Sequence, residues 1–312
     1  MTVPQPLYVA GHTGLVGSAI CRAAAEQVIE VVGRTHDELD LRDRTATRST
    51  IAEVAPQSLV MASGRVGSIV ANAAEPTDFI DDNLQIQLNV LDAAVRARVP
   101  RLLFLGSSAM YPEHAPQPLS ETFLLHGPPE PAHRAYATAK LAGLAHIQAI
   151  REQHRLGYIT AIPTNVYGPG DRFELGTAHV LPALVRRMHE AKLAEERYVT
   201  VWGTGQPRRE FLYVDDLARA CLFLLEHYDD DRPVNIGVGD DVPITELVAL
   251  VKGVVGFEGR IVWDRSKPDG VQRRLLDSRN LRDLGWQPQV SLEEGIRRTY
   301  AWYLDSVAVS AS

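Results

Sequence analysis

The chain has 312 residues, 45% hydrophobic and 23% charged, with a formal net charge of -7. That length can bury a full core and fits one large domain or two unequal ones. The acidic balance argues against a nucleic-acid surface, and no apolar run reaches the ~18 to 20 residues that span a bilayer.

Met1–Leu7 is too short and too Pro-rich for a signal peptide, so a cytoplasmic protein is expected. Cys21 and Cys221 lie in apolar helical patterns, which reads as reduced, buried thiols. No His/Cys/Asp cluster has ligand spacing, and no metal is expected.

Leu7–Ala10 reads as a buried strand that runs into Gly11-His12-Thr13-Gly14-Leu15-Val16-Gly17, followed by a helix over Ser18–Gln27. G-x-x-G-x-x-G between a strand and a helix is the context of a dinucleotide fingerprint. The glycines allow a tight turn close to a pyrophosphate, whose charge meets the helix N-terminus. Val28–Val32 is the next expected strand. No carboxylate stands directly at its end to hold a ribose 2′-hydroxyl, while Arg34 suits the 2′-phosphate of NADP. Leu39–Asp43 reads either as the turn reaching toward adenine or as plain loop.

Further apolar strands are expected at Ser58–Gly64, at Arg101–Leu105 leading into Gly106-Ser107-Ser108, and at Tyr158–Thr164, with helices over Asp78–Arg98 and Ala135–His154. Strands alternating with helices imply an α/β fold with a doubly wound parallel (Rossmann) sheet. Past Gly168 the rhythm changes. A helix over Thr177–Glu196, a helix capped by Asp215 and running to Tyr228, a strand at Val234–Gly237 belonging to the main sheet, and helices near Ile244–Val255 and Ser291–Ser306 suggest a smaller C-terminal α/β cap over the sheet edge.

Tyr136-Ala-Thr-Ala-Lys140 puts a phenol and an ammonium on one helical face, where the cation is expected to lower the phenol's pKa. Alone, this spacing is also that of an ordinary surface pair. Ser107, just past a strand end, would supply a second donor for a ketone oxygen that gains charge on hydride addition.

Together, Gly11-x-x-Gly14-x-x-Gly17, Ser107 and Tyr136-x-x-x-Lys140 resemble the extended short-chain dehydrogenases/reductases acting on nucleotide sugars. Leu103–Ser108, Tyr111-Pro112, Pro163-Thr164-Asn165, His179-Val180-x-Pro182-Ala183-Leu184, Val201-Trp202-Gly203-x-Gly205, Arg209–Leu212 and Ser266–Gly270 narrow the resemblance to the GDP-L-fucose synthase family over almost the whole chain. The resemblance implies NADP(H) held by Gly11, His12, Thr13, Gly14, Leu15, Val16, Gly17, Arg34, Leu105, Gly106, Lys140, Pro163, Asn165 and His179. It implies a catalytic set of Tyr136, Lys140, Ser107 and His179, and a nucleotide diphosphate-sugar bound by Ser108, Arg187, Trp202, Arg209 and Asp269. Residues 1–166 with about 214–240 would form the NADP-binding domain, and about 167–213 with 241–312 the nucleotide-sugar domain. A homodimer through helices near Asn83–Arg98 and Ala135–His154 is also implied.

The family pattern after the fourth strand is Gly-Ser-Ser-Cys, the cysteine serving as the epimerisation base, and here Ala109 takes its place. Thr13 and His36 stand where arginines are usual, which leaves Arg34 as the main support for a 2′-phosphate. The expected activity is therefore C4-ketone reduction of a 4-keto-6-deoxyhexose without efficient C3/C5 epimerisation, as in reductases that form dTDP-6-deoxy-D-allose. Complete GDP-L-fucose synthase activity is one alternative. A non-catalytic NADP(H)-binding sensor or scaffold is another.

Overall fold

The computed structural model describes residues 2–267 and 269–310; Met1, Pro268 of the Ser266–Gly270 motif, and the last two residues lie outside them. In the first half, strands β1 (Leu7–Ala10), β2 (Val31–Val32), β3 (Ser58–Met61), β4 (Arg101–Leu105) and β5 (Gly157–Pro163) alternate with helices α1 (Leu15–Glu26), α2 (Arg44–Val54), α3 (Ile69–Ala74), α4 (Pro76–Arg96) and α5 (Arg134–His154). The second half carries short strands β6 (Asn165–Tyr167), β7 (Tyr198–Trp202), β8 (Arg208–Arg209), β9 (Phe211–Tyr213), β10 (Val234–Ile236), β11 (Val242–Pro243), β12 (Arg260–Asp264) and β13 (Arg273–Arg274). Its helices are α6 (Val180–Leu193), α7 (Val214–His227), α8 (Ile244–Val255), α9 (Arg279–Asp283) and α10 (Leu292–Ser310).

The main sheet is parallel throughout, in the order β2-β1-β3-β4-β5-β10. Strand residues alternate between two buried layers. Leu7, Val9, Leu103 and Leu105 face α1 and α7, while Tyr8, Ala10, Leu102 and Phe104 face α2, α4 and α5. The winding direction reverses between β1 and β3, and in such sheets the crevice beyond the strand ends at that point takes the ligand.

Three small sheets, β7 with β12, β8 between β11 and β13, and β6 with β9, join α6, α8 and α10 in a second core around Val185, Met188, Leu247, Val251 and Ile296. Two fully buried carboxylates tie this layer to the main sheet. The Glu210 carboxylate accepts from the Gly239 and Leu276 amides at 2.7 and 3.0 Å, while its backbone carbonyl accepts the Asn165 side-chain amide at 2.8 Å. Asp216 accepts the Gln289 and Val290 amides at 2.9 Å each and pairs with Arg219 at 2.6 Å.

Several boundaries differ from the sequence reading. Val28 does not begin a strand. It turns at φ 56 and is 86% exposed, because Val28 and Ile29 donate back to the Ala25 and Ala24 carbonyls that α1 leaves free at its end. The helix expected over Thr177–Glu196 spans only Val180–Leu193, with His179 as its extended N-cap residue. Asp215 does not cap α7. Tyr213 occupies that position, and Asp215 in the first turn pairs with Arg22 at 2.7 Å. Asp43, within the expected turn, caps α2 through the Thr45 and Ala46 amides. Cys221 is buried in the core, whereas Cys21 is only half-buried.

Candidate active site

The fingerprint turn links β1 to α1 beside the winding reversal. Gly11 has φ 84, and a Cβ there would lie 2.9 Å from the Ser63 backbone; a Cβ on Gly17 would lie 2.0 Å from the Gly11 carbonyl. Those two glycines are required by packing. At Gly14 a Cβ would come no nearer than 3.4 Å to that carbonyl. Its bareness thus serves something outside the fold. The first turn of α1 has neither an acidic side chain nor a side-chain cap, which leaves its amides and positive dipole end free for an anion. A dinucleotide's pyrophosphate fits this cradle.

Next to it, the His12 ring fills the space over Gly33, with its Nδ1 buried and without a hydrogen-bond partner. Arg34 is half-buried and donates to the Gly33 carbonyl at 3.0 Å, while Thr13 is exposed. Six residues past β2 stands Glu38, a carboxylate that the sequence reading did not weigh. Glu38 folds back to accept the Thr35 amide at 2.7 Å and hydroxyl at 3.0 Å, bonds that lower its pKa, and the charges of Arg34 and His12 lower it further. The missing signal was the Thr-x-x-Glu turn, which brings a residue four positions on from Arg34 back beside it.

At the ends of β4 and β5, Ser107 caps the short turn Ser108–Met110 and accepts the Ala109 amide at 3.2 Å. Tyr136 and Lys140 sit in the first turns of α5, both buried. The Lys140 ammonium donates to the Leu105 carbonyl at 3.0 Å and lies 4.9 Å from the Phe104 ring centroid and 5.9 Å from that of Tyr136. Burial pushes the Tyr136 phenol up to about 12, and a hydrogen bond with Ser107 pulls it back only in part. The expected lowering by Lys140 is thus absent. Burial pushes Lys140 itself down to about 8, and its ammonium is engaged by a carbonyl rather than the phenol oxygen. A phenol near 12 is protonated at neutral pH, the form that donates a proton. The Gly106 amide donates to the Ala161 carbonyl at 2.8 Å, joining this turn to β5, which ends at Pro163 and is followed at once by Asn165 in β6. Ser108 is buried beside it.

Ala109 is buried among Phe79, Tyr136 and Ala137, with Ala71 against them. His179, just before α6, is exposed. Protein crowded around its ring lowers the imidazole's pKa, and the neighbouring His133 and Arg172 lower it further.

On the cap side, Trp202 is 51% exposed, with the Arg187 guanidinium 5.8 Å and the Lys267 ammonium 5.4 Å from its ring. Asp269 accepts the Thr204 amide at 2.6 Å and hydroxyl at 2.7 Å, which fixes the turn after Trp202. Arg209 donates to the Arg208 carbonyl at 2.8 Å, and burial followed by the charge of Arg274 pushes it down to about 10. The structure thus groups Ser107, Tyr136 and Lys140 tightly, and gathers Arg187 and Trp202 together with Lys267.

The family model described as "NAD dependent epimerase/dehydratase family" matches residues 7–237. The chain belongs to this family. Among its relatives, a protein named "Probable GDP-L-fucose synthase 1" from Oryza sativa subsp. japonica is 52% identical over 303 residues, 96% of this chain and 92% of that one. A solved GDP-6-OMe-4-keto-L-xylo-heptose reductase from C. jejuni superposes with a TM-score of 0.93 at 32% identity, covering 98% of this chain and 99% of the other. A GDP-mannoheptose C4 reductase from Campylobacter jejuni with NADP bound gives a TM-score of 0.88 at 31% identity, covering 97% and 99%.

Within this epimerase/dehydratase fold, sequence reasoning missed Glu130, His133 and Arg274. Arg274 pairs with the buried Glu130 at 2.9 Å, and the His133 Nδ1 lies 3.4 Å from the same carboxylate oxygen, within ion-pair range but without a well-formed hydrogen bond. Glu130 and His133 precede Tyr136 by six and three residues, so the motif was adjacent to them; Arg274 is brought in only by the pairing of β13 with β8.

Proposed function

We propose that this protein is an NADPH-dependent ketoreductase. It reduces the C4 ketone of a nucleotide-linked 4-keto-6-deoxyhexose and does not efficiently epimerise C3 or C5. The observation that carries the second half is Ala109 itself, a methyl packed against Phe79, Tyr136, Ala137 and Ala71, which cannot take a proton. A missing base typically costs ~10²- to 10⁴-fold. His179 remains as an acid at the start of α6, but removal of an acidic carbon-bound proton needs a partner base.

NADPH, when bound, supplies the hydride. Tyr136 delivers its phenolic proton to the C4 oxygen, and Ser107, hydrogen-bonded to that phenol, orients the oxygen. Lys140, held on the Leu105 carbonyl, places positive charge beneath the phenol and suits a ribose hydroxyl. Gly11–Gly17, Arg34, Pro163 and Asn165 form the cofactor wall. Arg187, Arg209 and Trp202 take the nucleotide diphosphate. The names of the relatives favour guanine as the base, and the dTDP-linked series is the alternative tested beside it.

A complete GDP-L-fucose synthase is a second reading, favoured by the 52% identity to a protein of that name. Incubation with GDP- and dTDP-4-keto-6-deoxyhexoses plus NADPH in deuterated water separates them. Reduction without solvent deuterium at C3 and C5 supports the reductase, and label at both carbons supports the synthase. NADPH binding without oxidation by any keto sugar would leave a sensor or scaffold.

The same reading makes the enzyme a cytoplasmic homodimer. The outer groove between α4 and α5 exposes Leu88 beside Asp92, Val95 and His146, a face suited to a two-fold partner, and light scattering in solution tests it. No described helix is long and apolar enough to cross a membrane.

A further inference from the structure

We infer that Glu38 holds the cofactor preference low: the pocket past β2 takes NADH alongside NADPH, with Glu38 accepting the ribose 2′-hydroxyl that NADPH carries as a phosphate ester. The inference rests on a nicotinamide dinucleotide as the hydride source of the proposed reduction, whichever sugar is reduced. In a doubly wound sheet the adenosine ribose lies past the end of the second strand, next to the glycine turn that follows the first. Here those two segments bring together His12, Thr13, Arg34, Thr35 and Glu38. Free cations are scarce among them. A 2′-phosphate carries about two negative charges and is best gripped by guanidiniums. Thr13 is exposed and uncharged, and the His12 ring is wedged over Gly33 with its Nδ1 buried. Arg42, at the far end of the same loop, is taken by Asp40 at 2.9 Å and Asp82 at 3.2 Å, and the exposed His36 bears on Asp40. Arg34 remains, half-buried and donating to the Gly33 carbonyl at 3.0 Å, with the Glu38 carboxylate opposing its charge.

Glu38 is also set up as an acceptor. The Thr35 amide and hydroxyl both donate to Oε2, at 2.7 and 3.0 Å, and the Glu38 amide donates back to the Thr35 hydroxyl oxygen at 3.3 Å. This reciprocal turn fixes the carboxylate and leaves Oε1 without a donor from the described residues. The next side chain, Leu39, is buried and anchors the turn to the core. A fixed carboxylate oxygen accepts a hydroxyl well and repels a phosphate, so one side chain favours NADH and disfavours NADPH at the same atom. Arg34 acts in the other direction, since a guanidinium attracts the phosphate and has little to offer a neutral hydroxyl. One guanidinium against one carboxylate leaves the two cofactors close in affinity.

The test is calorimetric titration of NADPH and NADH, and of the fragments 2′,5′-ADP and 5′-AMP, into the enzyme and its variants without any sugar. Wild-type enzyme should bind NADPH and NADH within about tenfold of each other, the worth of one charge-assisted bond. Glu38→Gln keeps an oxygen for the Thr35 amide and removes the charge, so it should tighten NADPH and weaken NADH, severalfold each. Thr13→Arg should tighten NADPH by about tenfold or more and leave NADH unchanged. The two fragments should follow the same order, which places the effect at the adenosine end. A wild-type preference for NADPH beyond about tenfold overturns the inference and leaves the reductase reading standing. So does a Glu38→Gln change of the same sign for both cofactors, the result of a turn that is merely structural. If Glu38→Gln does not fold, the wild-type ratio and the Thr13→Arg shift decide. Wild-type enzyme that binds neither dinucleotide overturns both.

Discussion

Lys140 is an ammonium with one carbonyl for a partner, buried where it is pushed down to about 8 from its ordinary 10.5. Below about pH 8 the folded protein must carry a charge that the unfolded chain carries more easily. That penalty is constant in acid and is relieved as pH rises from 8 to 10.5, because there the unfolded state binds more protons. Lys140→Met should therefore stabilise the fold at pH 7, by up to ~3 kcal/mol, with the gain shrinking toward pH 10. Urea denaturation at pH 7 and 9.5 checks it, and turnover should be lost. Tyr136→Phe should reduce turnover by at least ~10²-fold with NADPH affinity retained. Restoring the thiol with Ala109→Cys should raise solvent-deuterium exchange at C3 and C5, read by NMR on the product. Tyr136 and Lys140 were legible from spacing and Ser107 from its place past a strand end, whereas Ala109 stood out only against the pattern of the family that the chain resembles. The phenol's upward shift was not legible, because it depends on how completely β4 and its turn enclose the ring.

The fingerprint shows what a motif leaves undecided at the level of an element. Three glycines look equivalent in the sequence, yet Gly17 is fixed by a carbonyl against which a methyl would clash, and Gly14 is not. Gly17→Ala should lower the melting temperature substantially, in the range of ~1 to 3 kcal/mol or more, as overpacking against backbone does. Gly14→Ala should keep a near-native melting temperature and lose NADPH affinity. Thermal unfolding paired with NADPH titration separates the two. Apolar periodicity set the strands and long helices of the main sheet to within a few residues. It failed where caps decide, at Val28, at the start of α6 and at Asp215, because there backbone hydrogen bonding outweighs side-chain pattern.

Across the whole molecule, the alternation of strands and helices gave the parallel sheet, but the cap's two- and three-residue strands carry too little pattern to be read. What joins the layers was also hidden, since Glu210 and Asp216 look like surface acids in the sequence and are fully buried. Asp216→Ala should be strongly destabilising, by ~3 to 5 kcal/mol, because it removes the acceptor of two amides and leaves Arg219 without its partner. Urea midpoints compared at constant slope test this.

Glu210 has one more effect. It follows Arg209 directly and is bolted to the Gly239 and Leu276 amides, while its carbonyl holds Asn165 on the segment that extends β5. On the proposed reading, in which the Arg209 guanidinium meets the phosphates and the Tyr136 phenol meets the ketone, the two are jaws of a caliper set at a fixed gap. A sugar 1-phosphate, lacking the nucleoside and one phosphate, would then leave one jaw empty, and such an enzyme would gauge its substrate by length before any atom of the sugar is compared.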